Sequence, residues 1–166
     1  SQLEGSKAFM KNLCKKNNIP TADFGIFDNF KSATKFIKKN KFPIVVKADG
    51  LAAGKGVSIC NSEDEALKVT KEILNGKFKS SNKVILEEFL EGEELSYFLL
   101  VDKNSYCFFG SAQDHKRVEE GDRGPNTGGM GAYSPAPLLT KILENKIKKK
   151  NYRSYFKRDE RFRLPV

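Results

Sequence analysis

An α+β fold, with antiparallel sheet and helices packed on one side, is what this sequence predicts, on three observations. Runs of β-branched and aromatic residues such as "PIVVKA", "KVILEEF" and "YCFFGSA" are bounded by turn residues. Between several of them lie segments with apolar residues at helical spacing. One strand, "PIVVKA", runs through a glycine-rich turn into "GVSIC", which reads as its antiparallel return.

Taken in order, "LEGSKAFMKNLCKKNN" sets Leu3, Phe9, Met10, Leu13 and Cys14 close to helical spacing, and Pro20 ends the pattern. "ADFGIF" reads as a short strand, and "NFKSATKFIKKN" as a helix with Phe30, Ala33 and Ile37 on one face. The hairpin of "PIVVKA" and "GVSIC" follows. Ser62, with Glu65 three residues on, forms a capping box before "ALKVTKEILN", so a helix starts there and stops near Gly76. "KVILEEF", "ELSYFLLV" and "YCFFGSA" are strands separated by turns at Glu91-Gly92 and at Asp102 to Asn104. Residues 113–137 hold five glycines and three prolines with almost no periodicity, the composition of a functional loop or of disorder; their Asp, His, Lys, Arg and Asn favour function.

Composition excludes several classes. The 166 residues, 39% hydrophobic, suffice for one ordinary domain or two small lobes. Cys14, Cys60 and Cys107 are far apart, odd in number and without a CxxC pair, so they read as buried thiols in a reducing compartment, the cytoplasm. No apolar run is long enough to span a membrane, and the first residues do not resemble a secretion signal. Residues 141–166 carry ten Lys or Arg against Glu144, Asp159 and Glu160, leaving only +2 of the formal +9 for the first 140 residues. A solvated helix end and tail explain this better than a nucleic-acid partner.

The chemistry concentrates in three stretches. "KADGLAAGKGV" is neither a Walker A nor a dinucleotide motif: three residues separate Gly50 from Gly54, and Gly56 stands where a Ser or Thr would bind magnesium. Its glycines let backbone N–H groups turn toward an anion, and Lys55 adds a charge at the tip. A flexible tip with solvated lysines is the alternative. Lys47 is the more telling residue, because an ammonium inside an apolar strand needs a partner, and a phosphate would serve. "ILEEFLEGEE" is a solvated acidic edge by composition; as a strand end, it also offers free backbone groups for a purine edge and a carboxylate for ribose hydroxyls.

Together "LEGSKAF", "FPIVVKADGLAAGKGV", "EEFLEGEE" and "QDHKRVEEGDRGPNTGGMGAYSPAP" resemble the ATP-grasp portion of the phosphoribosylamine–glycine ligase (glycinamide ribonucleotide synthetase) family, from about residue 3 to residue 140. The resemblance implies an ATP-grasp fold, with two lobes clasping ATP, and a ligase of purine biosynthesis. Such a ligase joins glycine to 5-phosphoribosylamine through a glycyl phosphate, using ATP and Mg²⁺. It also implies site residues. Lys47 and Lys116 would be catalytic, with Lys47 on the ATP phosphates under a lid containing Gly54, Lys55 and Gly56. Glu87 and Leu90 would offer main-chain groups to adenine, and Glu94 would hold the ribose. Asp114, Lys116, Arg117, Asn126, Thr127 and Gly128 would face glycine or the ribosyl phosphate. His115, the only histidine, reads as a loop residue bonded to backbone, since a carboxylate needs no deprotonation at neutral pH to become an acyl phosphate.

The implied organisation is a lead-in helix over 1–22, a small lobe with the lid over 23–95, the start of the central lobe over 96–150, and a basic tail over 151–166 that departs from the family. The family's magnesium-binding Glu and Asn segment has no counterpart here. The expectation is therefore an ATP-binding fragment of the ligase; the alternative is a nucleotide-binding fragment without catalytic activity.

Overall fold

The computed structural model of the chain describes residues 2–50, 52, 56–78, 81–102, 105–121 and 123–152. Two compact units, residues 1–91 and 92–166, divide the chain. The first opens with α1 (Gln2–Gly5) and α2 (Lys7–Lys16). The sequence pattern predicts one helix here. Ser6 divides it, because its extended backbone makes it the N-cap of α2, its hydroxyl accepting from the Phe9 N–H at 3.1 Å.

Next come β1 (Phe24–Phe27), α3 (Phe30–Ile37), β2 (Ile44–Ala48), β3 (Val57–Cys60), α4 (Glu63–Leu74) and β4 (Val84–Glu88). The four strands form one antiparallel sheet in the order β1-β4-β2-β3. The predicted hairpin is β2–β3, with Ile44 opposite Cys60 and Lys47 opposite Val57. β1 and β2 run parallel, crossed over by α3, and β4 fills the gap between them; β3 and β4 are related in the same way by α4 with β2 in the gap.

Both helices pack on one face of this sheet. Ala33 and Ile37 of α3, Ala66 and Ile73 of α4, Ile44, Val46 and Ala48 of β2, and Val84 and Leu86 of β4 form one buried cluster. Phe30 is exposed rather than on the core face; Phe36 takes the margin of the core instead and meets the Phe27 ring at 5.3 Å between centroids. The α4 cap is the predicted one with a local change. Ser62 accepts from the Glu65 N–H, while the Glu65 carboxylate reaches back to the N–H of Asn61 at 2.8 Å rather than to that of Ser62.

The second unit is a three-stranded antiparallel meander, β5 (Ser96–Val101), β6 (Tyr106–Glu119) and β7 (Arg123–Tyr133), followed by α5 (Lys141–Ile147) and a π-helical turn (Lys148–Tyr152). Thr140 caps α5, and the Tyr97 hydroxyl donates to Glu144 at 3.3 Å, tying β5 to the helix. Residues 113–137, expected as a loop, are instead mostly a long hairpin. Gln113 lies opposite Tyr133, Asp114 opposite Ala132, and Glu119 opposite Arg123. The ladder slips between Arg117↔Asn126 and His115↔Gly131, so residues 127–130 of β7 oppose Lys116 alone. Glycines at positive φ, among them Gly129 at +123° and Gly131 at +149°, make that irregular strand feasible. Residues 153–166 of the predicted basic tail lie outside the described residues.

The cysteines are not alike. Cys60 is buried, and its burial, with the nearby Glu65 carboxylate adding to it, pushes its thiol up to about 11. Cys107 is exposed, which corrects the expectation of three buried thiols: β6 places it on an open sheet face beside Leu100. Iodoacetamide at pH 8 is expected to modify Cys107 well before Cys60, as peptide mapping reads directly; the reverse order would contradict this packing. In the core, Leu86 is fully buried on a strand paired on both sides. Leu86→Ala is expected to cost ~2–5 kcal/mol in urea unfolding. Exposed Leu90→Ala is expected to stay within about 0.5 kcal/mol of the parent chain.

Candidate functional site

The period of two that buries Ile44, Val46 and Ala48 against the helices turns Val45 and Lys47 to the opposite face of the sheet. Val45 pairs with Glu87 and Lys47 with Ile85, so Lys47 and Glu87 are diagonal neighbours on that face. The Lys47 ammonium donates to Glu87 Oε2 at 2.9 Å. From α2, the Lys11 ammonium approaches the same oxygen at 3.4 Å. The side chains of Lys11 and Glu87 are 3% and 6% exposed, that of Lys47 27%.

Lys11 is saturated. It donates to Thr21 Oγ1 at 2.6 Å and to the Ala22 carbonyl at 2.9 Å, and its ammonium lies 4.8 Å from the centroid of the Phe24 ring. A buried carboxylate between two lysines thus stands where the sequence pointed to a phosphate partner for Lys47. Only the main chain of Glu87 was expected to matter, and Lys11 was missed. The available signal was spacing, since Lys11 follows Ala8 by three residues on the buried stripe of α2.

Beside this cluster the glycine-rich hairpin begins. Gly54 and Lys55, predicted lid residues, lie outside the described residues. Gly56 is buried, and a Cβ there would come within 2.5 Å of Ala52 Cβ, so the returning strand passes too close for a side chain. The Ala48 N–H donates to the Gly56 carbonyl at 2.8 Å and closes the base of the turn.

Asp49 anchors the start of the loop. Its carboxylate accepts from the Ser6 hydroxyl and the Ala8 N–H, both at 3.1 Å, and so sits at the N-terminus of α2, where the helix dipole favours an anion. Lys7 donates to the carbonyl of Gly50 at 2.7 Å, and Gly50 itself adopts a positive φ of +79°. "GSKAF" and "KADG" are therefore two halves of one clasp, which spacing along the chain could not reveal.

At the end of β4, Glu88 is tied to Asp23 through backbone and side chain, and Leu90 is exposed. Glu94 belongs to the second unit and is exposed. Asp114, Lys116, Arg117, Asn126, Thr127 and Gly128 fall on the facing strands β6 and β7, about the ladder slip. Thr127 Oγ1 accepts from the Gly129 N–H at 3.1 Å. His115 is a strand residue, not a loop residue; its ring lies 4.9 Å from that of Tyr133, whose hydroxyl donates to Gln113.

Two features of the first unit bear on ligands. A cleft of about 540 Å³ lined by Lys15, Ile19, Pro20, Phe24, Phe36 and Asn40 includes none of the predicted site residues. Among the described residues, no three or more His, Cys, Asp or Glu are grouped to hold a metal ion.

Comparison with known proteins places the chain in a family. Residues 5–158 match the family "Phosphoribosylglycinamide synthetase, ATP-grasp (A) domain", a span that extends past residue 150, where the divergent tail was expected to begin. The chain is 57% identical over 145 residues to the chloroplastic phosphoribosylamine–glycine ligase of Arabidopsis thaliana, covering 86% of this chain and 27% of that protein. The crystal structure of phosphoribosylamine–glycine ligase from Thermotoga maritima superposes with a TM-score of 0.80 at 38% identity, over 89% of this chain and 38% of that one. The biotin carboxylase domain of 2-oxoglutarate carboxylase from Hydrogenobacter thermophilus, solved with MgADP, gives 0.74 at 21% identity, over 94% and 34% of the two chains. The fold is therefore ATP-grasp, and the chain spans roughly a third of the length of the relatives it matches.

The Asp49 clasp carries its own test. Asp49→Ala removes the acceptor of the Ser6 and Ala8 donors and is expected to lower stability by ~1–3 kcal/mol in urea unfolding. A loss no larger than that of a surface substitution would show that the clasp does not hold α2 to the loop.

Proposed function

Because this chain belongs to the phosphoribosylglycinamide synthetase ATP-grasp (A) domain family, we propose that it is the ATP-binding portion of a phosphoribosylamine–glycine ligase of purine biosynthesis. In the proposed reaction the glycine carboxylate takes the γ-phosphoryl group of ATP, releasing ADP. The amine of 5-phosphoribosylamine then attacks the glycyl carbonyl and expels phosphate. The observation that carries this reading is Lys47, a cation held on a strand at the base of a glycine-rich hairpin, within the span matched to the family.

In this reading Lys47 neutralises charge on the phosphates, and Gly54, Lys55 and Gly56 cover them and keep water out. The backbones of Glu87 and Leu90 pair with adenine, and Glu94 accepts from the ribose hydroxyls. Asp114, Lys116, Arg117, Asn126, Thr127 and Gly128 hold glycine and the ribosyl phosphate, with Lys116 placed to balance charge on the transferring group. Mg²⁺ would supply further neutralisation of the phosphates when bound.

The chain's three cysteines are free thiols, which supports a reducing compartment, and we assign the cytoplasm. Among the described residues no helix is long and apolar enough to cross a membrane. A second reading, nucleotide binding without turnover by this chain alone, is favoured by its span of roughly a third of its relatives.

Calorimetry with ATP and Mg²⁺, paired with a phosphate-release assay in glycine and 5-phosphoribosylamine, separates the two. Binding is expected in either case, and Lys47→Met is expected to weaken it by at least about tenfold, the order of one charge lost beside a phosphate. Wild-type affinity in Lys47→Met would overturn the site. Substrate-dependent phosphate release by the unaided chain would remove the second reading.

A further inference from the structure

The cluster on the outer face of the first sheet holds one more cation than a simple ion pair needs. With Glu87 ionised and Lys11 and Lys47 protonated, two positive charges meet one negative charge at Glu87 Oε2. The two lysines differ in what holds them. Lys11, 3% exposed, donates to Thr21 and Ala22 and forms an ion pair with Glu87. Lys47, 27% exposed, has Glu87 as its carboxylate partner and stands on the strand that opens into the glycine hairpin.

A mobile cation that serves a buried carboxylate alone could not leave without stranding that carboxylate in a low-dielectric site, where an unpaired charge is strongly penalised. Here it would not be stranded. When Lys47 swings toward an anion, Lys11 stays on Glu87 and keeps it neutralised. Conversely, without Lys11 the remaining pair would carry no net charge and would bind Lys47 more tightly.

We propose that Lys11 is a positioning residue, a resident counter-ion for Glu87 that frees Lys47 to pair with the phosphates of a nucleoside polyphosphate. Lys11 touches no ligand in this scheme and acts through Glu87. The proposal rests on the nucleotide reading given above, and it adds a role for a residue outside the phosphate loop.

The test is calorimetric titration of the 166-residue chain with ATP and Mg²⁺, using circular dichroism and urea unfolding to confirm that each variant folds. Lys11→Met is expected to bind ATP about tenfold more weakly, because Glu87 would then hold Lys47 as its sole counter-ion. Lys11→Arg, which keeps the charge, is expected to stay within about threefold of the parent. Lys11→Met/Glu87→Gln restores a net positive cluster and is expected to recover most of the lost affinity, a rescue that a purely structural role for Lys11 would not produce. Should Lys11→Met fail to fold, Glu87→Gln alone decides. It leaves both lysines unopposed and is expected to bind ATP at least as tightly as the parent.

Parent-like affinity in Lys11→Met, no rescue in the double variant, or weakened binding in Glu87→Gln would each overturn the proposal. Failure of the underlying nucleotide reading looks different. In that case the parent chain binds no ATP, or Lys47→Met binds it as well as the parent does.

Discussion

A carboxylate buried on the open face of a sheet must be neutralised, and Glu87 is neutralised twice. That constraint ties together three elements that share no local sequence pattern: Lys11 from α2, Lys47 from β2 and Glu87 from β4. It fixes the side of the sheet on which α2 delivers its lysine, and it holds Lys47 at the root of the glycine hairpin. The ion pairs are worth less for net stability than for arrangement, since taking three charges out of water offsets much of their attraction.

The opposite face of the same strands supplies the rigidity. Ile44, Val46 and Ala48 alternate with Val45 and Lys47, and Val84 and Leu86 alternate with Ile85 and Glu87, so one set is locked under α3 and α4 while the other lies on the opposite face, where Lys47 keeps partial exposure. A one-residue slip would send Lys47 into the apolar core and an aliphatic side chain to the opposite face. Register and chemistry are thus specified by the same packing. The Ser6–Asp49 clasp extends that order to the start of the glycine-rich turn.

Much of this was legible in the sequence where the interactions are local. The hairpin of β2 and β3, the cap at Ser62 and the alternation through Lys47 all follow from neighbours within a few residues. The helical pattern of "NFKSATKFI" misled only in detail: Phe30 is exposed and Phe36 packs on Phe27, a contact that helical spacing does not encode. Lys11 was invisible as a site residue because its partner lies on β4, far along the chain, and a lone lysine on a helix is ordinarily solvated. The β6–β7 hairpin was hidden for another reason. From Gln113 onward β6 is polar, and β7 is glycine-rich, so no face alternates, and only pairing to the partner strand identifies them.

The proposals made above come down to one physical statement, that Lys47 is a cation held in reserve for a polyphosphate while Lys11 retains Glu87. A crystal structure of the chain with ADP tests this most directly. The predicted result is the Lys47 ammonium within hydrogen-bond distance, about 3 Å, of a phosphoryl oxygen, with Glu87 still on Lys11. Bound ADP with Lys47 left on Glu87 and distant from every phosphoryl oxygen would contradict it.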